Sequence, residues 1–141
     1  MTQHVLLPVD PDEKASWERA LPEAMAQAKQ RGATLHIMTV VPTFGSSIVA
    51  SYFPKDFAEK ATLEAEGELK ALAAREIPAD LSHKLIVTHG RIHQQIVDTA
   101  NTIKADLIVM ASHKPEWSDS FLAPNAAQVL QHTSMSVLVV R

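Results

Sequence analysis

No cysteine occurs among the 141 residues. That excludes a disulfide scaffold, a thiol nucleophile and any cysteine-based zinc or iron–sulfur site. Glycine is scarce, at four residues, and the strand–GxxxxGK(S/T)–helix cradle for a triphosphate is absent. Basic charge is short too. Thirteen lysines and arginines face sixteen aspartates and glutamates, giving −3. A chain of that sign is a poor generic binder of nucleic acid or of a membrane surface. No apolar run approaches the roughly 20 residues that cross a bilayer. The stretch Met1 to Pro11 lacks the basic flank and long apolar segment of a secretory signal. The expected location is therefore the cytoplasm, with no membrane insertion and no nucleic-acid partner.

What is present is ordinary globular composition, 46% hydrophobic and 21% charged. That is enough for one core in one domain, residues 1–141. Five short apolar runs alternate with four helical patterns. The runs span residues 4–10, 34–41, 84–88, 106–111 and 135–140. The first, fourth and fifth are almost continuously aliphatic, as a strand covered on both faces by helices reads.

The first helical pattern covers 12–31. Trp17, Ala20, Leu21, Ala24 and Ala28 recur at helical steps, and Gly32 follows as a stop signal. Pro22 inside it predicts a kink or a restart. The second covers 56–75, with Phe57, Ala61, Ala65, Leu69 and Leu72 as its inward stripe and Glu64, Glu66 and Glu68 as its wet side. The third covers 92–103, with Ile92, Ile96, Val97, Ala100 and Ile103 on one face. The fourth runs from about Pro124 to His132, with Ala126, Val129 and Leu130 inward. The order βαβαβαβαβ predicts right-handed crossovers and a parallel sheet, a single doubly wound α/β sandwich.

In such sheets ligands bind beyond the carboxyl ends of the strands, where strand order reverses. The residues there are Val9 and Asp10, Val40 to Pro42, His89 and Gly90, and Ala111 to Lys114. Gly90 permits close backbone approach. The fourth helix offers its N-terminus at Pro124 and Asn125 to an anion. Asp10 suits a ribose hydroxyl, or equally a cap for the following helix. His89 and His93 are four apart, but one ends a strand and the other starts a helix. A metal site is not expected from them. Ser112 and His113 are neighbours in sequence, which does not supply nucleophile–base geometry, and no nucleophile elbow is present. The chain does not read as an enzyme. Glu116 and Asp119 could hold Mg²⁺ beside a nucleotide. The terminal run, Met135 to Val140, reads as an apolar edge that a two-fold partner would cover.

Four stretches together resemble the universal stress protein family over the whole chain. They are Val5 to Asp10, Gly90 to Thr99, Asp106 to His113 and Asn125 to Arg141. The turn Ala111-Ser112-His113-Lys114-Pro115 and the short loop after it are most similar to the F/G-type subgroup. The resemblance implies a five-stranded parallel sheet of order 3-2-1-4-5 and a homodimer joined through the last strand. It implies a stress-response module that binds ATP, or ADP or AMP, with Mg²⁺ beside the phosphates, and that meets a protein partner it does not name. By that resemblance Pro8, Val9 and Asp10 match the first-strand adenosine contacts, Val41 the adenine contact, and Gly90 the small residue after the third strand. Ser112, His113 and Lys114 match the start of the phosphate loop, and Asn125 and Ala126 the helix beyond it. The family pattern there is G-x2-G-x9-G-(S/T). Here Ala111 and Lys114 stand for its first two glycines and Ala123 and Pro124 for its last pair, with a spacer one residue shorter. Ala123 costs about 1–2 kcal/mol if its φ is positive, and Pro124 removes an amide. Two alternatives follow: a same-fold dimeric adaptor that has lost nucleotide binding, or a slow ATPase.

Overall fold

The computed structural model describes residues 3–42, 57–112 and 123–141, with the backbone alone at 123 and 124. The aliphatic runs become five parallel strands: β1 (His4–Pro8), β2 (Thr34–Pro42), β3 (His83–Gly90), β4 (Leu107–Ala111) and β5 (Ser136–Val140). Their order in the sheet is β3-β2-β1-β4-β5, as expected. Each crossover carries a helix: α1 (Ala20–Arg31), α2 (Phe57–Glu76), α3 (Ile92–Ile103) and α4 (Ala123–His132). Right-handed crossovers set α1 and α2 on one face and α3 and α4 on the other. Burial follows from that layering. Val5, Leu6 and Leu7 of central β1 and all five residues of β4 are buried, whereas both edge strands stay half-exposed.

Local chemistry sets the element ends. A 3-10 turn at Lys14–Ser16 precedes α1, so the pattern restarts at Ala20 rather than running through from Asp12. Pro22 then falls in the first turn, where its missing donor costs nothing. Trp17 closes the 3-10 turn instead of joining a helical stripe, and the Arg75 guanidinium lies 5.9 Å from its ring centre. Gly32 ends α1 at φ +63°, the left-handed cap expected of it.

Two expectations about inward faces fail. Phe57 is exposed at the start of α2, because this long helix packs through its C-terminal half, at Leu69, Leu72 and Ala73. In α4, Ala126 and Val129 point inward, but Leu130 is 51% exposed. The helix lies beside the sheet edge, so its buried stripe is one residue narrower than the apolar pattern. Among the described residues no helix is long and apolar enough to cross a membrane.

Candidate nucleotide cleft

Strand order reverses between β1 and β4. The chain steps outward from β1 through β2 to β3, then returns to lay β4 on the other side of β1. Loops leaving such a switch point diverge and open a cleft. Val5 pairs with Leu107 and Leu6 with Ile108, so the Val9-Asp10 and Ala111-Ser112 ends rise to the same height. On the other flank the register sets Val41 beside His89 and Pro42 beside Gly90.

Asp10 is the most constrained residue here. Its amide donates to Ser16 Oγ at 2.9 Å, and that hydroxyl lies 2.8 Å from the Asp10 carbonyl and 2.7 Å from that of Glu13. The Glu13 amide also donates to the Asp10 carbonyl, at 3.0 Å. Asp10 Oδ1 accepts the Asp12 amide at 3.1 Å, so the carboxylate caps its own turn and not α1. Partial burial pushes its pKa above the ordinary 3.8. The Asp12 amide works against that push, and the charges of Asp12 and Glu13 add to it.

Glu68 departs from its expected role. Glu64 and Glu66 are exposed, but Glu68 is half-buried on the inner shoulder of α2 and reaches Asp12. Desolvation raises its pKa, followed by the charge of Asp12, a hydrogen bond with Asp12, and the charges of Glu64 and Asp10. Glu68 lies three after Ala65 and four before Leu72, on the border of the inward stripe. The β1 side of the cleft is thus rich in carboxylates. It favours hydroxyl donors such as a ribose and repels phosphate.

The β4 side has the opposite polarity. α4 begins at the carboxyl end of the sheet, and its N-terminus carries partial positive charge. Pro124, second in the helix, removes one first-turn amide. Asn125 is half-buried and Ala126 buried. The Ser112 amide is already engaged, donating to the Val140 carbonyl at 2.8 Å, which leaves the hydroxyl as the donor at that position. Among the described residues only Lys104 combines a side chain with positive φ. Ala111 and Ala123 therefore carry no left-handed strain, and the cost foreseen for Ala123 does not arise.

The remaining site residues divide by burial. Pro8, Val9 and Ala111 are buried and can form only the floor, and the Val9 amide is bonded to the Met38 carbonyl at 2.8 Å. Val41 is half-exposed. Gly90 has φ +140°, and a Cβ there would meet Gln95 Nε2 at 2.9 Å. The turn itself demands glycine. His113 and Lys114, with Glu116, Trp117 and Asp119, lie outside the described residues. Among the described residues no three acidic or histidine side chains could together hold a metal ion.

A family model described as the universal stress protein family matches residues 1–141. Universal stress protein G of Shigella flexneri is 28% identical over 144 residues, covering all of both chains. Universal stress protein UspA from Lactobacillus plantarum superposes with a TM-score of 0.73 at 22% identity, over 99% of this chain and 97% of that one. A universal stress protein solved in complex with cAMP gives 0.61 at 22% identity, over 99% and 97%. One from Archaeoglobus fulgidus solved in complex with dAMP gives 0.58 at 19%, over 100% and 98%.

Proposed function

Because the chain belongs to the universal stress protein family, we propose that it is a cytoplasmic, homodimeric stress-response module that binds an adenine nucleotide in the cleft between β1, β2 and α4. The observation that carries the reading is Asp10. Its backbone is held on both sides by a buried hydroxyl, and its half-buried carboxylate stands just past the end of β1, the strand beside which the order reverses. In this reading the carboxylate accepts ribose hydroxyls, Val41 lies against the base, and the phosphate turns away from the acidic flank toward Ser112 and the N-terminus of α4. The complexes of two relatives with cAMP and dAMP support the class of ligand. Recognition is concentrated in the adenosine, so AMP binds nearly as well as ATP. The chain acts as a binding module and not as a catalyst. The dimer forms through the outer rim of β5.

A second reading, an adaptor without nucleotide, is favoured by two observations. Pro124 subtracts one amide from the phosphate end, and the Ser112 amide is engaged by Val140. Mass spectrometry of small molecules released on denaturing the purified protein separates the two. Adenine nucleotide in the released fraction supports the first. A fraction free of it, with no calorimetric heat on adding AMP, supports the second.

A further inference from the structure

The sheet has two open edges, and their chemistry differs. β5, Ser136-Val137-Leu138-Val139-Val140, bears no formal charge. β3 reads His83-Lys84-Leu85-Ile86-Val87-Thr88-His89-Gly90 and runs into Arg91. From Leu81 to Val97 there is no acidic residue, in a chain where acidic residues outnumber basic ones.

The direction of the backbone groups follows from one bond. The Leu35 amide donates to the Ser82 carbonyl at 3.0 Å. Polar groups alternate sides along a strand, so Lys84, Ile86 and Thr88 bond inward to β2. His83, Leu85, Val87 and His89 present theirs outward. Among the described residues no strand pairs with that side.

Among the described residues two cavities flank the same rim. A cavity of about 430 Å³ wraps Val87, Thr88 and His89 between Thr62 of α2 and Gln95 of α3. A second, of about 360 Å³, adjoins it at His89 beneath Ala58, Glu59 and Leu63. Leu63 is 67% exposed at its mouth, and Thr88 Oγ1 is buried without a partner among the described residues.

Among the described residues this eight-residue rim has no strand on it, and such an edge invites one. A second copy of this chain fits it poorly. In antiparallel pairing the outward-bonding residues lie opposite one another, so a two-fold axis at Ile86 sets His83 opposite His89 and Leu85 opposite Val87. An axis at Val87 sets His83 opposite Arg91 and Lys84 opposite Gly90. Either axis lays the acid-free stretch that carries Lys84 and Arg91 against its own copy, and like charges brought close repel. β5 carries no such obstacle.

We propose that the outer rim of β3 receives an extended peptide of alternating acidic and β-branched residues, added as a sixth strand. Its backbone bonds to that of His83, Leu85, Val87 and His89. Its apolar side chains enter the two cavities, and its carboxylates lie toward Lys84 and Arg91. The inference is independent of the nucleotide reading.

Fluorescence anisotropy of the full chain with a labelled Glu-Val-Glu-Ile-Glu-Thr peptide, and with its lysine-for-glutamate counterpart, tests this. The acidic peptide is expected to bind, more weakly as salt rises from about 50 to about 500 mM, and the basic one not to bind. Lys84→Glu with Arg91→Glu, both exposed positions, is expected to cut affinity for the acidic peptide about tenfold or more and to reverse the preference. Val87→Pro deletes an outward donor, spares the bonds to β2, and is expected to abolish binding. Should that variant not fold, N-methylation of alternate peptide amides is expected to abolish binding to the unaltered chain. The proposal is overturned by no binding of the acidic peptide at about 1 mM, by equal binding of both peptides, or by a Val87→Pro chain whose mass in solution halves, which would assign the rim to a second copy.

Discussion

The buried hydroxyl of Ser16 lies 2.9 Å from the amide nitrogen of Asp10 and 2.8 Å from its carbonyl oxygen. A residue of the 3-10 turn thus fixes the end of the central strand, and with it the direction of the Asp10 carboxylate. Ser16→Ala leaves the Asp10 amide without its acceptor. The expected cost is about 1–3 kcal/mol of stability, read by urea denaturation, with weaker AMP binding measured in the same samples. A variant as stable as the parent would show that the hydroxyl is not what holds this turn.

Asp10→Asn separates stability from binding. Burial raises the Asp10 pKa in the folded chain, so the ionised carboxylate costs stability at every pH above the folded value. That cost fades as pH falls through the folded pKa and is gone below the ordinary 3.8. Asparagine keeps the acceptor for the Asp12 amide and removes the charge. The variant is expected to melt at or above the parental temperature at pH 7, to lose that advantage at acid pH, and to bind nucleotide poorly. A lower melting temperature at pH 7 together with intact binding would contradict both halves.

Far from the cleft, His4 Nδ1 lies 3.0 Å from His36 Nε2. His36 is 4% exposed, and its Nδ1 is buried without a partner among the described residues. Burial first, then the charges of His4 and Lys84, hold its pKa below 6.5. The unfolded chain therefore takes up a proton that the folded chain refuses. Stability is expected to fall as pH drops below 6.5 and to stop falling from this cause below the folded pKa. The slope contributed by one such group is at most about 1.4 kcal/mol per pH unit. Stability curves of the parent and of His36→Leu between pH 7 and pH 5 check this. The variant's curve should be the flatter, and parallel curves would rule out His36 as the source.

The proposed dimer rim of β5 is open to a similarly local test. The Val140 carbonyl accepts the Ser112 amide, so Ser136, Leu138 and Val140 bond inward and Val137 and Val139 outward. Val139→Pro is expected to leave the β4–β5 ladder intact and to sediment as a 15.4 kDa monomer. A parent that already sediments as a monomer, or a variant that remains dimeric, would place the interface elsewhere.

The sheet was legible because its inner strands are covered on both faces, and the uninterrupted aliphatics of Val5 to Leu7 and Leu107 to Met110 state that directly. The helix 92–103 was legible to the residue because Ile92, Ile96, Ala100 and Ile103 keep strict period, whereas nothing in the sequence announces the left-handed cap at Lys104. Legibility failed where a residue's fate depends on distant chain. Ser16 gives no local sign that its hydroxyl will hold Asp10. Glu68 lies on the border of its stripe, and only the approach of the 10–12 turn draws it inward. The engagement of the Ser112 amide by Val140 depends on a strand register that no pattern in either segment encodes. In the cleft, the positions came from strand ends alone, whereas the contrast between an acidic β1 flank and a positive helix end required the packing of α2 and α4.

Calorimetric titration of AMP and of ATP with Mg²⁺ into the purified chain and into Asp10→Asn bears most directly on the adenosine cleft. The expected result is heat from both nucleotides at one site per chain, affinities within about tenfold of each other, and loss of that heat in the variant. No heat from either nucleotide up to about 1 mM, or heat undiminished by Asp10→Asn, would contradict it.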